Sequence, residues 1–336
     1  MTAFVELVSM GNVLVMLLFT AIVCLVLGLG MPTTANYILM ATLMAPVVVE
    51  LGAQSGLIIP LIAVHMFVFY YGLMADITPP VGLATFAAAA IAREDPLRIG
   101  IQGFKYSLRT AVLPFVFVFN PLLLLIGIDG PFELIVVVTG SIIGSLAFAA
   151  ATMGWMRVRS TALEVVICLL VTFMMFRPDW FMNHIEPKYV TVPVEQVYEV
   201  AATLDHNQQF VVQIEGLNIE GDELSKTVAV PLAALPEDSD LTGEAAGRQR
   251  LADAGVGIMA FGDMVQISSV RFGSQASRSG WETGWDVAAV QKPNPDRPSE
   301  YFMYLPALLL LVFVWWRQGI RLRTEPQPIL QAGQSV

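Results

Sequence analysis

Nine residues, Gly28-Leu29-Gly30-Met31-Pro32-Thr33-Thr34-Ala35-Asn36, constrain this chain more than any others. They separate two apolar runs, Val13–Leu27 and Tyr37–Val49. Each run is shorter than the ~20 residues that a helix needs to cross a bilayer. Gly28, Gly30 and Pro32 oppose helix between them, and Thr33, Thr34 and Asn36 add small polar groups. Backbone that leaves a helix at membrane depth must face protein or water, because lipid cannot satisfy its N–H and C=O groups. Two half-length helices meeting at such a point read as a re-entrant hairpin over 13–50 with a binding site at its tip. The plainer reading is a kink between two ordinary spans.

Composition places the hairpin in a membrane protein with soluble mass attached. The chain is 56% hydrophobic and 14% charged, with mean hydropathy +0.67. Residues 178–300 hold 19 acidic and eight basic side chains, a balance of −11 that accounts for the whole net charge of −10. An acidic soluble part excludes nucleic acid and anionic surfaces as its natural partners. Cys24 and Cys168 both fall inside apolar runs and read as buried thiols. The first nine residues carry Glu6 and no basic residue, so they lack the positive start of a signal peptide. A hairpin so close to the first residue implies that its packing partner is supplied elsewhere, by a preceding half or a separate chain.

A second break follows. The segment Leu57–Met74 is interrupted by Asp76-Ile77-Thr78-Pro79-Pro80-Val81-Gly82 and resumes as the alanine-rich Leu83–Ala92, a discontinuous helix over 57–92. Adjacent prolines remove two backbone donors and stop a continuous helix. Two interrupted apolar segments in succession are a pointer to the binding site of a secondary transporter. Spans are expected over 110–128 and 132–153, completing a membrane region 1–154. A connector crosses within 155–184, and a final span opens the segment 301–336. Basic residues mark the loop at Arg93–Arg98 with the surface helix expected after it through Lys105 and Arg109, the loop at Arg157–Arg159 and the tail at Arg317–Arg323. By the positive-inside rule these face the cytoplasm, which puts the acidic segment 185–300 outside, in the periplasm of a Gram-negative inner membrane. That segment shows strand-like alternation at 189–194, 210–214, 228–230 and 265–270, and a short helix is expected near Ser274–Ser279.

The chemistry at the breaks is that of hard-ion and anion binding. Thr33, Thr34 and Asn36 offer side-chain oxygens and the Gly28–Met31 backbone offers carbonyls, the ligands that sodium takes. A half-helix starting near Thr34 turns its N–H groups and positive dipole end toward an anion. Thr78, Pro79, Pro80 and Gly82 form a similar point at the second break. Asp76 is a ligand or a proton carrier, or it caps a half-helix at the water boundary. His65 reads as a hydrogen-bonded packing residue, and Trp315 and Trp316 as interfacial anchors. No H-E-x-x-H zinc motif, G-x-S-x-G elbow or phosphate loop occurs, so the chain is not expected to be an enzyme or to hydrolyse ATP. No cofactor is expected beyond sodium or a proton as the coupling ion.

Gly-Leu-Gly-Met-Pro-Thr-Thr-Ala at 28–35 with Asp-Ile-Thr-Pro-Pro-Val-Gly at 76–82 resembles the C-terminal half of the large membrane subunit of TRAP transporters, most closely the fused TAXI-type permeases. The resemblance covers about Gly11–Met153 and implies half of an elevator-type ion transporter. It implies import of organic anions such as carboxylates by cation symport, with substrate delivered by a periplasmic binding protein. Gly30, Met31, Pro32, Thr33 and Thr34 would then be the hairpin tip. Sodium would be held through Gly30, Thr33 and Thr78. The family's first repeat and small-subunit helices have no counterpart here.

The outer segment is similar to bacterial PDZ domains at Gly255-Val256-Gly257-Ile258, the pattern of a carboxylate-binding loop, and at Gly273-Ser274-Gln275-Ala276. This implies capture of a chain terminus by strand addition. Trp285 between Gly284 and Asp286 departs from that pattern. The competing function is a membrane-anchored periplasmic adaptor without transport activity. An intramembrane protease lacks its catalytic motifs.

Overall fold

Helix formation begins where Asn12 caps the first apolar run: its side chain accepts hydrogen bonds from the N–H groups of Leu14 and Val15. The structure is a computed structural model. It describes residues 2–79, 82–128, 130–205, 208–217, 221, 223–235, 241–261 and 264–324. Pro80 lies outside them.

In chain order the helices before the sheet are α1 (Thr2–Ser9), α2 (Val13–Gly28), α3 (Thr33–Leu43), α4 (Ala45–Gln54), α5 (Leu61–Ala75), α6 (Leu83–Ala92), α7 (Pro96–Phe119), α8 (Pro131–Met153), α9 (Ala162–Phe176) and α10 (Pro178–Ile185). Then come β1 (Tyr189–Val192), α11 (Val197–Thr203), β2 (Gln209–Leu217), β3 (Glu223–Pro231), α12 (Gly243–Ala254), β4 (Val256–Phe261) and β5 (Met264–Val270). The chain continues through α13 (Gln275–Arg278) and β6 (Asp286–Pro293) to α14 (Tyr304–Thr324). Among the described residues, Thr33–Gln54, Pro131–Met153 and Glu300–Arg323 are long and apolar enough to cross a membrane. α2, α5 and α6 are apolar but shorter, as the two breaks require.

Two compact units divide the chain: Met1–Asp76 with Pro187–Asp296, and Ile77–Glu186 with Arg297–Val336. In the first unit α2, α3 and α5 pack together around Met16, Cys24, Met40, Phe67 and Val68, all buried. The helix after the first tip begins at Thr33, directly behind Pro32, and runs on through a bend at Met44. The second arm is therefore longer than the Tyr37–Val49 run. The threonines join the helix because Pro32 fixes an extended φ of −57° that suits a helix start.

The first unit also holds an antiparallel sheet in the order β3-β2-β6-β5-β4, with β1 paired to β6. β2 is buried on both faces: Phe210 and Val212 join the main core, and Val211 is fully buried too. The core adds Val228, Val230, Ile267 and Val290 from the strands, Val197 and Ala201 from α11, and Leu251 from α12. Arg250 organises the rim of this core. Its buried guanidinium donates to the carbonyls of Ala201, Ala202, Leu204, Leu232 and Ala233. Desolvation holds its pKa below the ordinary arginine value.

In the second unit, the expected span over 110–128 is instead the end of one helix, α7, that begins at Pro96. Asp95 caps it, accepting from the Leu97 N–H, and Pro96 occupies the first turn, where a missing donor costs nothing. Asn120 and Pro121 end it nine residues earlier than the apolar pattern implied. α8 and α9 approach closely at Gly144, where the Thr172 hydroxyl donates to the Gly144 carbonyl at 3.3 Å. α9 opens with a capping box between Thr161 and Glu164 and turns by 79° into α10 at Arg177. Glu164 is fully buried and pairs with Arg317 and Arg321 of α14. Cys24 and Cys168 are buried free thiols.

Candidate functional site

The first tip is a four-residue break, 29–32, between α2 and α3. Leu29 closes α2 in right-handed conformation, and its N–H reaches back to the carbonyls of Leu25 and Val26. The carbonyl of Gly28 has Pro32 four residues on, and proline carries no N–H to complete the helical bond. On the other side, α3 starts without a side-chain cap, so its first N–H groups have no capping partner. The Thr33 and Thr34 hydroxyls make no hydrogen bond to a described residue. Gly30, Pro32 and Thr34 are exposed, and Met31 and Thr33 are half-buried. One short stretch thus offers carbonyl oxygen for a cation and open N–H groups for an anion.

Asn36, expected to offer an oxygen at the tip, lies just inside α3. It is fully buried, and its Nδ2 donates to the Cys24 carbonyl at 3.0 Å, tying α3 to α2. Its Oδ1 is buried with no hydrogen-bond partner, an acceptor left open beneath the tip. Gly28 makes the close fit possible: a Cβ there would sit 2.5 Å from Ala75 Cβ and 2.6 Å from Asn36 Nδ2. His65 accepts or donates one hydrogen bond, 3.0 Å from the Tyr37 hydroxyl, and has no ligand geometry.

The second break is described at Asp76–Pro79 and at Gly82. Asp76 ends α5 and is half-buried, as are Thr78 and Pro79. Gly82 precedes α6 with φ +29°, a conformation that disfavours a side chain, and it is buried. The Thr85 hydroxyl, which the sequence pattern hid in an alanine run, donates to the Gly82 carbonyl at 2.6 Å. Gly100 of α7 lets the break pack closely, since a Cβ there would meet Pro79 Cγ at 3.0 Å. The first tip belongs to the first unit, whereas Thr78, Pro79 and Gly82 belong to the second. Among the described residues no group of three or more His, Cys, Asp or Glu is placed to hold a metal ion.

A charged cluster that sequence reading missed lies in the first unit. Lys226 of β3 is buried, with Nζ 3.4 Å from Glu50 Oε1 on α4 and 2.5 Å from Glu282 Oε1. The same ammonium lies 4.7 Å from the centre of the Trp285 ring. No local signal announces a pair 176 residues apart.

At the other end of the sheet, Gly255 ends α12 with φ +94°, and a Cβ there would sit 2.5 Å from the Ser274 Oγ. Val256, Gly257 and Ile258 open β4, the last strand of the order. The Ile258 carbonyl accepts from the Tyr198 hydroxyl at 2.7 Å. Burial raises the pKa of that phenol.

Residues 1–129 match the family described as "Tripartite ATP-independent periplasmic transporter, DctM component". Residues 134–324 match the family described as "Domain of unknown function (DUF3394)". No curated protein and no solved structure matches. The match at 1–129 indicates a TRAP transporter permease component, and with the apolar helices it indicates a multi-pass membrane protein.

Proposed function

The chain belongs to the DUF3394 family and carries a DctM-type permease segment ahead of that region, and from this premise we propose that it is part of a TRAP-type carrier importing small organic anions such as carboxylates. A cation gradient, sodium or proton, drives the uptake, and a periplasmic binding protein delivers the substrate. The TAXI type is the nearest resemblance. Each break contributes its own ligands. At the first, carbonyls around Gly28–Met31 and the oxygen of Thr33 take a cation and the open start of α3 takes the carboxylate; at the second, the oxygen of Thr78 is a cation ligand.

The observation that carries this reading is that both helix breaks fall inside the segment matched to the permease family. Each break leaves backbone groups without helical partners, which lipid does not tolerate unless they line a protein or water-filled site. An adaptor whose helices serve only as anchors has no need of either break. The sheet region is read as periplasmic and the end of α14 as cytoplasmic, following the basic loops. Its PDZ-like reading rests on Gly255 and the terminal place of β4. Strand addition there has to displace or accommodate the bond from Tyr198.

The test is uptake of labelled carboxylate into liposomes holding the complete native complex and supplied with its binding protein. Uptake is expected when a sodium or proton gradient is imposed and not when it is collapsed. Uptake that needs neither a gradient nor the binding protein contradicts the proposal.

A further inference from the structure

The second unit holds an apolar slot of about 590 Å³ between α8, α14 and the turn that follows α8. Ile143, Leu146, Ala150 and Met153 line it from α8, Trp155 from the turn and Trp315 from α14. Its wall is open to the surroundings of the helices: Leu146 is 65% exposed and Met153 56%. In a bilayer that opening faces acyl chains.

One end of the slot is polar and rigidly built. Gly154 ends α8, and the Ser160 N–H donates back to its carbonyl at 2.8 Å, closing a tight turn over 154–160. Gln318 of α14, fully buried, clamps this turn. Its Oε1 accepts from the Arg157 N–H at 3.0 Å and from the Val158 N–H at 3.4 Å. Its Nε2 donates to Ser160 Oγ and to Glu164 Oε2, each at 3.2 Å. The clamp sets the Arg157 guanidinium 4.5 Å above the Trp315 ring, at the mouth of the slot.

The charges around this mouth do not cancel. Glu164 is committed to Arg317 and Arg321. Arg157 has no carboxylate within ion-pair distance among the described residues, and Arg159, exposed on the same turn, has none either. The Arg157 guanidinium therefore stands over Trp315 of the slot, and Arg159 follows on the same turn, bridged through its backbone to Trp155. Guanidinium forks match phosphate oxygens, and indole rings settle at headgroup level. Basic pockets between spanning helices take anionic lipid headgroups.

We infer that this slot is a binding site for one anionic phospholipid, its acyl chain along Leu146 and Met153 and its phosphate on Arg157 and Arg159. The inference stands apart from the transport reading, because none of these residues lies near either helix break in the chain.

Native mass spectrometry of the purified, delipidated full chain tests it, with phosphatidylglycerol and phosphatidylethanolamine added in turn. The expected result is one phosphatidylglycerol retained per chain, at least tenfold over phosphatidylethanolamine, and undiminished by added inorganic phosphate. Arg157→Ala is expected to cut that retention about tenfold. Leu146→Trp fills the slot at an exposed position while leaving both arginines in place, and is expected to lower retention as well. Arg278→Ala, an exposed arginine of the sheet region, is expected to change nothing. Equal retention of the two lipids overturns the inference, as does full retention by Leu146→Trp. A lipid-free dimer in place of the lipid adduct also overturns it, assigning the slot to a second copy.

Discussion

Lys226 of β3 sets its ammonium 3.4 Å from the carboxylate of Glu50 on α4, joining the sheet to that helix within one compact unit. Glu282 holds the same ammonium from the other side. The lysine side chain is 1% exposed, while Glu50 and Glu282 are 37% and 48% exposed. Loss of a carboxylate leaves a buried cation, whereas loss of the lysine leaves carboxylates that water can reach.

The asymmetry makes a prediction about single and double variants. Glu50→Gln, which removes the longer of the two contacts, should cost at most about 1 kcal/mol. Glu50→Gln with Glu282→Gln strands the ammonium and should cost about 3–5 kcal/mol. Thermal unfolding of the purified protein measures both. Equal effects of the single and double variants would show that Lys226 does not depend on the pair.

Glycine positions separate packing from site. A Cβ at Gly28 would press on Ala75 and Asn36, whereas one at Gly30 meets nothing within 4 Å. Gly28→Ala should therefore lower the unfolding temperature, by about 1–3 kcal/mol in stability terms. Gly30→Ala should leave it within about 0.5 kcal/mol while reducing uptake. A Gly30→Ala protein with unchanged transport would move the binding point away from the tip.

Gly247 tests how α11 and α12 meet. A Cβ there would land on the Tyr198 carbonyl oxygen, a backbone atom with no freedom to give way. Alanine ordinarily favours a helix over glycine by about 1 kcal/mol. Here the clash should reverse that sign and cost about 2–3 kcal/mol, seen as a lower unfolding midpoint in urea.

Glu164 should behave as a keystone of the second unit. Its removal takes away the carboxylate that Arg317 and Arg321 share and frees Gln318 from one partner. Glu164→Ala should cost about 3–5 kcal/mol. Double-mutant cycles with Arg321→Ala should recover part of that loss, because the stranded cation is then gone as well.

Much of the helix punctuation was legible in local residues. Gly28, Gly30 and Pro32 mark the first break, Asp95-Pro96 marks a helix start, and alternating Val and Ile residues mark β2, β3 and β5. The continuity of α7 was not legible, because basic residues up to Arg109 masked its union with the apolar run behind it. α12 escaped as well: Gly243, Gly247 and four charged residues within 12 positions leave no apolar period to follow. The inward role of Asn36 and the partners of Lys226 and Glu164 depend on contacts far along the chain, which no local pattern encodes.

Side of the membrane is a separate question with a direct answer. Asp253 is exposed on α12. In a background lacking Cys24 and Cys168, Asp253→Cys should react with an impermeant maleimide in intact spheroplasts. Reaction only after lysis would invert the orientation.

The most direct measurement compares gradient-driven carboxylate uptake by the complete complex carrying wild-type chain, Thr33→Ala or Thr78→Ala. Neither threonine is buried, and Thr33→Ala should not alter stability by more than about 0.5 kcal/mol. The account predicts that each variant folds normally and that each loses at least tenfold in uptake, with a weaker dependence on cation concentration. Wild-type uptake and wild-type cation dependence in both variants would contradict it.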